Sequence, residues 1–537
     1  MEKKSQVIKA TPLPNHAEIC WRADQSLARR EKWKPILREC YEMASPWNNP
    51  YDGGDSRDKD SSLPMNNLFD STMVTSNFRA TNRLYLDLAP PDQNWIDIKL
   101  GPVLEMQLSK DEAQALEKEL SKVIKILAMP FKGEQFGNSM WSVLHDSRTA
   151  GLGAMLSLEN PSDDLEPISF EAVSQAEITI ERGGDGQEKG VYRTRKIYAK
   201  EIKGKWSDAK IPKILQDKID ADKKKNPEVK ISEATFKHDG KWIYRVYYRE
   251  QKGDPEILVD RSYDTNPWTL FPWSVIPGCE YGPGPVMMML PDGRTANKVM
   301  EFLLTNAALA LAGMYLVRDD GVINPDNVQI ISGGMIPVAA TGGSMGASIV
   351  PLGTNREFDL GQVILNDLRM AIKKGLQDNG LPEATGAVRS ATEIIERMRE
   401  LTEDNGGAAA RLNAGLAKLV RRVADIMGKR GFIPKLSIDN FALKVQINSP
   451  LARTQQFNDV STVVKWIEMC RAIGGEQMTM LVAKLEEILV WIASQIGVPT
   501  HLVNGEKERA EMKQQAAQAM QAQMAMQAVG QISKQAA

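Results

Sequence analysis

The chain has little of what catalytic and metal-binding proteins need. Only four cysteines and four histidines occur in 537 residues. Cys20, Cys40, Cys279 and Cys470 show neither pairing nor metal-ligand spacing, so they read as reduced thiols and not as a disulfide framework. His16, His145, His238 and His501 are dispersed, with no His-Glu-x-x-His and no Cys-x-x-Cys, and a zinc site is not expected. The glycine-rich stretches RGGDGQEKG and ATGGSMGASIVPLGT lack a Gly-Lys-Ser/Thr leading into a helix, so both read as turns and not as phosphate loops. His145-Asp146-Ser147 has the letters of a hydrolytic triad, but adjacent side chains on a helix do not face one another. The acidic run with Asp52, Asp55, Asp58 and Asp60 lacks the glycine and terminal glutamate of a calcium loop and reads as surface. Neither an enzymatic activity nor a cofactor is expected.

A surplus of positive charge is also missing. The formal net charge is −2. Proteins that grip nucleic acid do so by neutralising phosphates with basic side chains, so the near-neutral charge argues against a basic gripping surface. It leaves open a surface that DNA merely passes. There is no apolar signal segment, and the run from Phe302 to Val317 is shorter than the roughly 20 residues a bilayer requires. It also contains Thr305 and Asn306, so no membrane span is expected. Apolar content of 42% and charged content of 25% are ordinary globular values, and the length calls for two to four lobes.

What is present is mainly helical. Apolar spacing predicts helix over Ile19–Met43, then over Leu68–Leu88 with Phe69, Met73, Phe78, Leu84 and Leu88 available for burial, ending at Pro90-Pro91. Ser109 and Glu112 form a capping box opening a helix to about Met129, and Phe136–Leu144 is amphipathic. Strand patterns follow. AEITIER and VYRTRKIYAKEI read as a hairpin around Gly183–Gly190, and KWIYRVYYRE with PEILVDRSY as a second, separated from the first by a solvated helix. Residues 160–275 therefore read as an α+β lobe. Ser390 and Glu393 open a long helix to Arg430, with Gly406-Gly407 as its kink, and helices are read at Gln455–Ile473 and Glu476–Ile496. In the Ala/Gln/Met-rich end, Met520, Met524 and Ala528 share one face; such a helix either frays or bundles with copies of itself.

Two hydrophobic helices of matched length stand out, from about Pro291 to Val317 and from about Phe358 to Gln377, separated by a Gly/Pro-rich insert. In the first, Phe302, Leu304, Leu309 and Leu311 lie in a stretch apolar on nearly all sides, and such a helix must be surrounded. One partner helix cannot do this, but neighbouring copies of the same hairpin can, which points to a closed cyclic assembly. In the second, Leu360, Ile364, Leu368 and Ile372 form a packing face. Gln362, Asn366, Arg369, Lys373 and Gln377 make a polar stripe. That stripe is either the lining of a central channel, with Arg369 and Lys373 facing it, or a solvated or ion-paired outer face.

At this point the sequence resembles the portal, or head-to-tail connector, proteins of short-tailed phages. LFDSTMVTSNFRATNRLYLDLAPPDQNWIDIKL is similar to the family's opening helix, and NPWTLFPWSVIPGCEYGPGPVMMMLPDGRTANKV to the entry into its first stem helix. DDGVINPDNVQIISGGMIPV resembles the clip, SATEIIERMRE the helix after the stem, and VQINSPLARTQQ the return to the body. Tyr281-Gly282-Pro283-Gly284-Pro285 departs from the family's Tyr-Gly-Arg-Gly-Pro, Pro272-Trp273 from its Arg-Trp, and Ser390-Ala391-Thr392-Glu393 from its Thr-Ala-Thr-Glu, which puts an arginine contact in doubt.

The resemblance implies a mixed, mainly α portal fold with an α+β wing, helical stem, clip and crown or barrel, assembled as a cyclic ring. The wing would span 1–290, the stem 291–317 and 358–379, and the clip 318–357. A tunnel loop would span 380–390, a long wing helix and return strand 391–454, the crown 455–504, and a barrel or tail 505–537. It implies a homododecamer at the portal vertex of a phage head, made in the bacterial cytoplasm. Scaffolding and major capsid protein, the packaging terminase, a tubular tail adaptor and internal core proteins are the implied partners, with double-stranded DNA passing through weak contacts and no membrane. Gln362, Asn366, Arg369, Lys373 and Arg389 become candidates to face DNA, although Arg389 could equally pair with Glu393. Gly333, Gly334, Ile336 and Pro337 become a clip contact surface. The competing reading is a nucleic-acid-binding helical adaptor without ring symmetry.

Overall fold

The computed structural model describes residues 13–51, 67–161, 166–221, 227–248, 256–312, 315–317, 349–351, 358–378, 391–436, 442–448 and 450–496, with residues 509 and 512. The chain opens with α1 (His16–Glu31), α2 (Lys34–Ala44) and α3 (Thr72–Leu88), then β1 (Ile96–Leu100), α4 (Pro102–Gln107), α5 (Lys110–Leu127) and α6 (Glu134–Ala150). The β-rich part holds β2 (Leu152–Glu159), β3 (Ile168–Val173), β4 (Ile178–Arg182), β5 (Glu188–Tyr198), α7 (Glu201–Lys205), α8 (Lys213–Ala221), β6 (Glu228–His238), β7 (Lys241–Tyr248), β8 (Glu256–Tyr263) and β9 (Trp268–Pro272). Then come α9 (Pro285–Ala312), β10 (Tyr315–Val317), β11 (Ile349–Pro351), α10 (Phe358–Gly375), α11 (Ala391–Arg430), β12 (Leu443–Ile447), α12 (Pro450–Val482) and α13 (Leu485–Ile496).

These fall into two compact units. The first comprises residues 1–86, 130–391 and 405–435, and the second 87–129, 392–404 and 436–537. In the first unit β4 to β8 form a five-stranded antiparallel meander, and β2 pairs with both β3 and β9 in a second sheet. A core of Ile178, Ile180, Val191, Ile231, Tyr244 and Val246 from the meander joins Ala154, Leu156 and Leu270 from the second sheet, with Trp206 and Leu215 closing it. One ionic cluster is built into this region. Burial pushes the Glu171 carboxyl up, but Arg193, Lys205 and Arg195 outweigh that and hold it down at about 2. Arg195 also reaches the fully buried Glu233 at 2.9 Å, and that carboxylate accepts from the Tyr244 hydroxyl at 2.8 Å.

Helix α6 is buried along most of its length. Within the first unit, the C-terminal part of α11 lies on β9. A Cβ on Gly415 would meet the Phe271 ring at 2.7 Å, so only glycine allows this approach. Three arginines of α11 then donate to main-chain carbonyls within or just past β2 and β9: Arg411 to Trp273, Arg422 to Ser157 and Arg430 to Asn160. In the second unit β1 and β12 pair antiparallel from Ile96↔Ile447 to Leu100↔Leu443. The Ser109–Glu112 capping box at the start of α5 is formed in both directions.

Several sequence expectations are corrected. The helix expected over Ile19–Met43 is two helices, because Pro35 begins a new one. Phe69 and Phe78 are exposed, whereas Met73, Leu84 and Leu88 are buried as expected. The two expected hairpins exist, but β6 lies between them and makes one continuous sheet. It turns into β7 through Asp239 and Gly240, both at positive φ (45° and 80°), the geometry of a two-residue hairpin loop. Gly406 and Gly407 sit inside α11 without ending it. The break expected after Ile473 is real at Gly475 (φ 71°, ψ 180°), and the following helix divides again before Leu485. The Ser390 half of the second capping box, and all of the Ala/Gln/Met-rich end except Met512, lie outside the described residues. No helix among the described residues is long and apolar enough to cross a membrane.

Candidate functional site

The helical hairpin is α9 and α10, joined beyond their ends by the β10–β11 ladder, in which Tyr315 pairs with Pro351. Helix α9 begins at Pro285, six residues before the expected start, and runs through Pro291. An interior proline forfeits a main-chain hydrogen bond. Burial of Val286 and Leu290 in the apolar core outweighs that loss. The expected end at Val317 is also corrected, since Tyr315–Val317 is strand. The helices pack closely where glycine removes bulk: a Cβ on Gly361 would stand 3.0 Å from Leu303, and one on Gly375 would meet Met289.

Several large apolar side chains of the hairpin are exposed. On α9, Phe302 is 56% and Leu304 47% exposed; on α10, Val363 is 57%, Ile364 45% and Met370 62% exposed. The packing face expected at Ile364 is corrected, because Leu365, Ile372 and Leu376 make the buried face, with Leu368 partly packed against it. Leu309 and Leu311 belong to α9, but their side chains lie outside the described residues, as does that of Leu360. Gly333, Gly334, Ile336, Pro337 and Arg389 also lie outside them.

The polar stripe divides. Gln362, Asn366 and Lys373 are exposed. Arg369 is half-buried and bound to Asp70, with Nε at 2.8 Å and Nη2 at 2.7 Å. Gln377, at φ 58° beyond the end of α10, accepts from Nη1 of Arg148 at 3.4 Å.

Arg148 was not singled out by the sequence reading, and it stands at a junction. Its Nη2 donates to the Leu376 carbonyl, and its Nε donates to Asn77 Oδ1 at 3.3 Å. The guanidinium lies 5.3 Å from the centroid of the Trp273 ring. Burial pushes this group down to about 10, with Asp378 opposing the shift. Among the described residues no carboxylate forms an ion pair with it; the Leu376 carbonyl just past a helix C-terminus, which carries partial negative charge, and two side-chain amide oxygens take that place.

The same junction explains the glycines of Tyr281-Gly282-Pro283-Gly284-Pro285. A Cβ on Gly282 would stand 2.3 Å from the Ser274 carbonyl, and one on Gly284 2.4 Å from the Arg148 carbonyl. Gly151, at φ +83°, closes α6 with its own Cβ position 2.0 Å from the Gly282 carbonyl. Three backbone segments cross here without room for side chains, and α9 starts from the crossing. Nearby, Asn297 of α9 accepts from the main-chain N–H groups of Phe69 (2.6 Å) and Asp70 (3.0 Å). The residues missed by sequence reasoning, Asp70, Asn77, Arg148 and Asn297, are single polar residues whose partners are remote in the chain. The glycine spacing of 282 and 284 was the one available signal.

His145, Asp146 and Ser147 are buried and form no triad. Asp146 accepts from the Tyr41 hydroxyl at 2.9 Å, while the His145 ring stacks on Trp141 at 5.1 Å. Burial and the nearby Arg148 push His145 down to about 4. Among the described residues no cluster of three or more His, Cys, Asp or Glu could hold a metal ion.

No curated protein matches the chain. Among solved structures, the neck of an empty gene transfer agent (GTA) particle computed with C6 symmetry contains a chain that is similar at 13% identity and a TM-score of 0.37, over 81% of this chain and 92% of that one. A chain in the neck of a native GTA particle computed with C12 symmetry is similar at 12% identity and 0.36, over 78% and 91%. A chain in a native GTA virion gives 11% and 0.32, over 73% and 89%. Scores this low establish neither shared function nor shared assembly. The family comparison is of a different order: the model of the bacteriophage head to tail connecting protein family matches residues 17–503. The chain belongs to the bacteriophage head-to-tail connecting protein family.

Proposed function

We propose that this connector is the portal of a phage head: a ring, dodecameric in the assembled particle, through whose channel double-stranded DNA is packaged and ejected. The observation that carries the reading is the hairpin of α9 and α10. It leaves Phe302 and Leu304 uncovered on one helix and Val363, Ile364 and Met370 on the other. Large apolar side chains left exposed on both helices call for partners, and identical neighbours in a ring would supply them. The exposed members of the α10 stripe, Gln362, Asn366 and Lys373, would line the channel with few cations. That suits a conduit, since a strongly basic wall would hold DNA through counterion release.

In the same reading the segment between β10 and β11 is the clip, docking the packaging terminase and later the tail adaptor. Scaffolding and capsid proteins would contact the wing. Light-scattering mass of the full chain tests the ring: a dodecamer of 59.6 kDa chains weighs about 715 kDa. A monomer or dimer that binds DNA tightly and salt-dependently would replace this reading with a non-ring adaptor. Lys373→Gln should leave the mass unchanged and alter DNA retention in filled heads.

A further inference from the structure

Helix α10 is tied to the segment containing α3 at two places. Asp70, just ahead of α3, holds Arg369. Asn77, within α3, holds Arg148, which in turn holds the Leu376 carbonyl and Gln377. Residues 70 and 77 differ by seven positions, and so do 369 and 376. One tie holds a side chain within α10, and the other, through Arg148 of α6, holds the main chain just past its last residue; seven residues separate them, about 10 Å at the helical rise. Apolar packing of Leu365, Ile372 and Leu376 holds the helix without directional bonds, and two separated polar attachments add a fixed tilt and rotation.

The two ties differ in chemistry. Asp70 is buried, also accepts the Thr72 N–H at 2.9 Å, and is held below the usual carboxylate range, because its bonds to Thr72 and Arg369 outweigh the effect of burial. Arg148 is a buried cation held by carbonyl and amide oxygens, and an apolar side chain in its place would leave those acceptors unpaired. What a guanidinium supplies there is a rigid fork of donors that reaches three oxygens at once.

We propose that Arg148 and Asp70 are positioning residues that set the rotation of α10. They thereby determine which of its side chains face outward: Arg369 and Gln377 are held by the chain itself, while Gln362, Asn366 and Lys373 are left free to line the channel. The last clause rests on the portal reading; the positioning does not.

Spin labels at Arg79→Cys on α3 and Lys374→Cys on α10, both exposed positions, test the setting. The full chain would carry Cys20, Cys279 and Cys470 replaced by serine and be diluted with unlabelled chain. Cys40 can stay, since its thiol is buried and pushed up to about 12. The unsubstituted background should give one narrow distance. Arg148→Lys and Asp70→Asn should each broaden it about twofold, and the exchange Asp70→Arg with Arg369→Asp should restore much of the narrow distribution, as expected of directly coupled residues. In infected cells, each single variant should lower the yield of DNA-filled heads on the order of tenfold while rings still form.

An unchanged narrow distance in both single variants overturns the positioning role, whatever the ring does. If Arg148→Lys fails to fold, Asp70→Asn and the exchange pair decide alone. A broadened distance with normally filled heads overturns the link to the channel. A chain that forms no ring overturns the portal reading and leaves the distance result standing.

Discussion

Arg369 and Asp70, 299 residues apart in sequence, form a half-buried ion pair in which two guanidinium nitrogens converge on one carboxylate oxygen. Arg369 is thereby withdrawn from free solution, and Lys373 is the member of the α10 stripe that keeps an exposed charge.

Removing the carboxylate should be felt. Asp70→Ala deletes the partner of Arg369 and of the Thr72 N–H, and a loss of about 2 kcal/mol is expected in denaturant unfolding at pH 7. Because the folded pKa of Asp70 is lowered, its contribution is present above the ordinary carboxylate value. It disappears as pH falls through the folded value, so wild type and Asp70→Ala should converge in stability in strong acid.

His145 shifts in the same direction, but through burial of a neutral ring and not through bonds to a charged one. Its folded pKa is about 4 against an ordinary 6.5, so the unfolded chain takes up the proton first as pH falls. Stability is intact above the ordinary value, declines through the interval between the two, and levels off below the folded value. The full span corresponds to roughly 3 kcal/mol. Melting temperatures of His145→Gln measured across that interval should show a flatter pH dependence than wild type. An unchanged slope would remove His145 as its source.

The glycine crossing should tolerate nothing larger. Gly151→Ala combines a left-handed backbone with a Cβ position 2.0 Å from a carbonyl oxygen. A loss of about 3 kcal/mol or more, or failure to fold, is expected. Gly184→Ala, where no atom lies within 4 Å of the new Cβ, should stay within about 0.5 kcal/mol. Thermal unfolding of the pair separates a crowded joint from a generic glycine effect.

Charge on the uncovered hairpin should prevent assembly without unfolding the chain. Phe302→Glu with Leu304→Glu places carboxylates on surface already exposed in a single copy. Circular dichroism should be unaltered, while the scattering mass falls from the ring to 59.6 kDa. Rings of undiminished mass would show that these side chains lie outside the contact between copies.

Local signals were read correctly where the physics is local. The Ser109–Glu112 box needs only residues three apart, and it forms. The hairpin from β4 to β5 follows from alternation and a glycine turn. Missed features divide into two kinds. Asp239-Gly240 is an ordinary hairpin dipeptide that the sequence displays openly, and β6 could have been found from it. The start of α9 at Pro285 could not, since a proline at 285 and one at 291 signal a helix start equally well and only burial of Val286 and Leu290 chooses between them.

By itself the sequence determined the period and greasiness of α9, the polar stripe on α10, the scarcity of catalytic groups and the near-neutral charge, because these depend on composition and on spacing within a few turns. Only the tertiary structure decided which stripe residues are free. Arg369 and Gln377 look no different from Asn366 or Lys373 along the helix, and they are set apart by Asp70 and Arg148, partners hundreds of residues away. A side chain's exposure depends on what folding brings beside it, and no spacing rule within one helix contains that information.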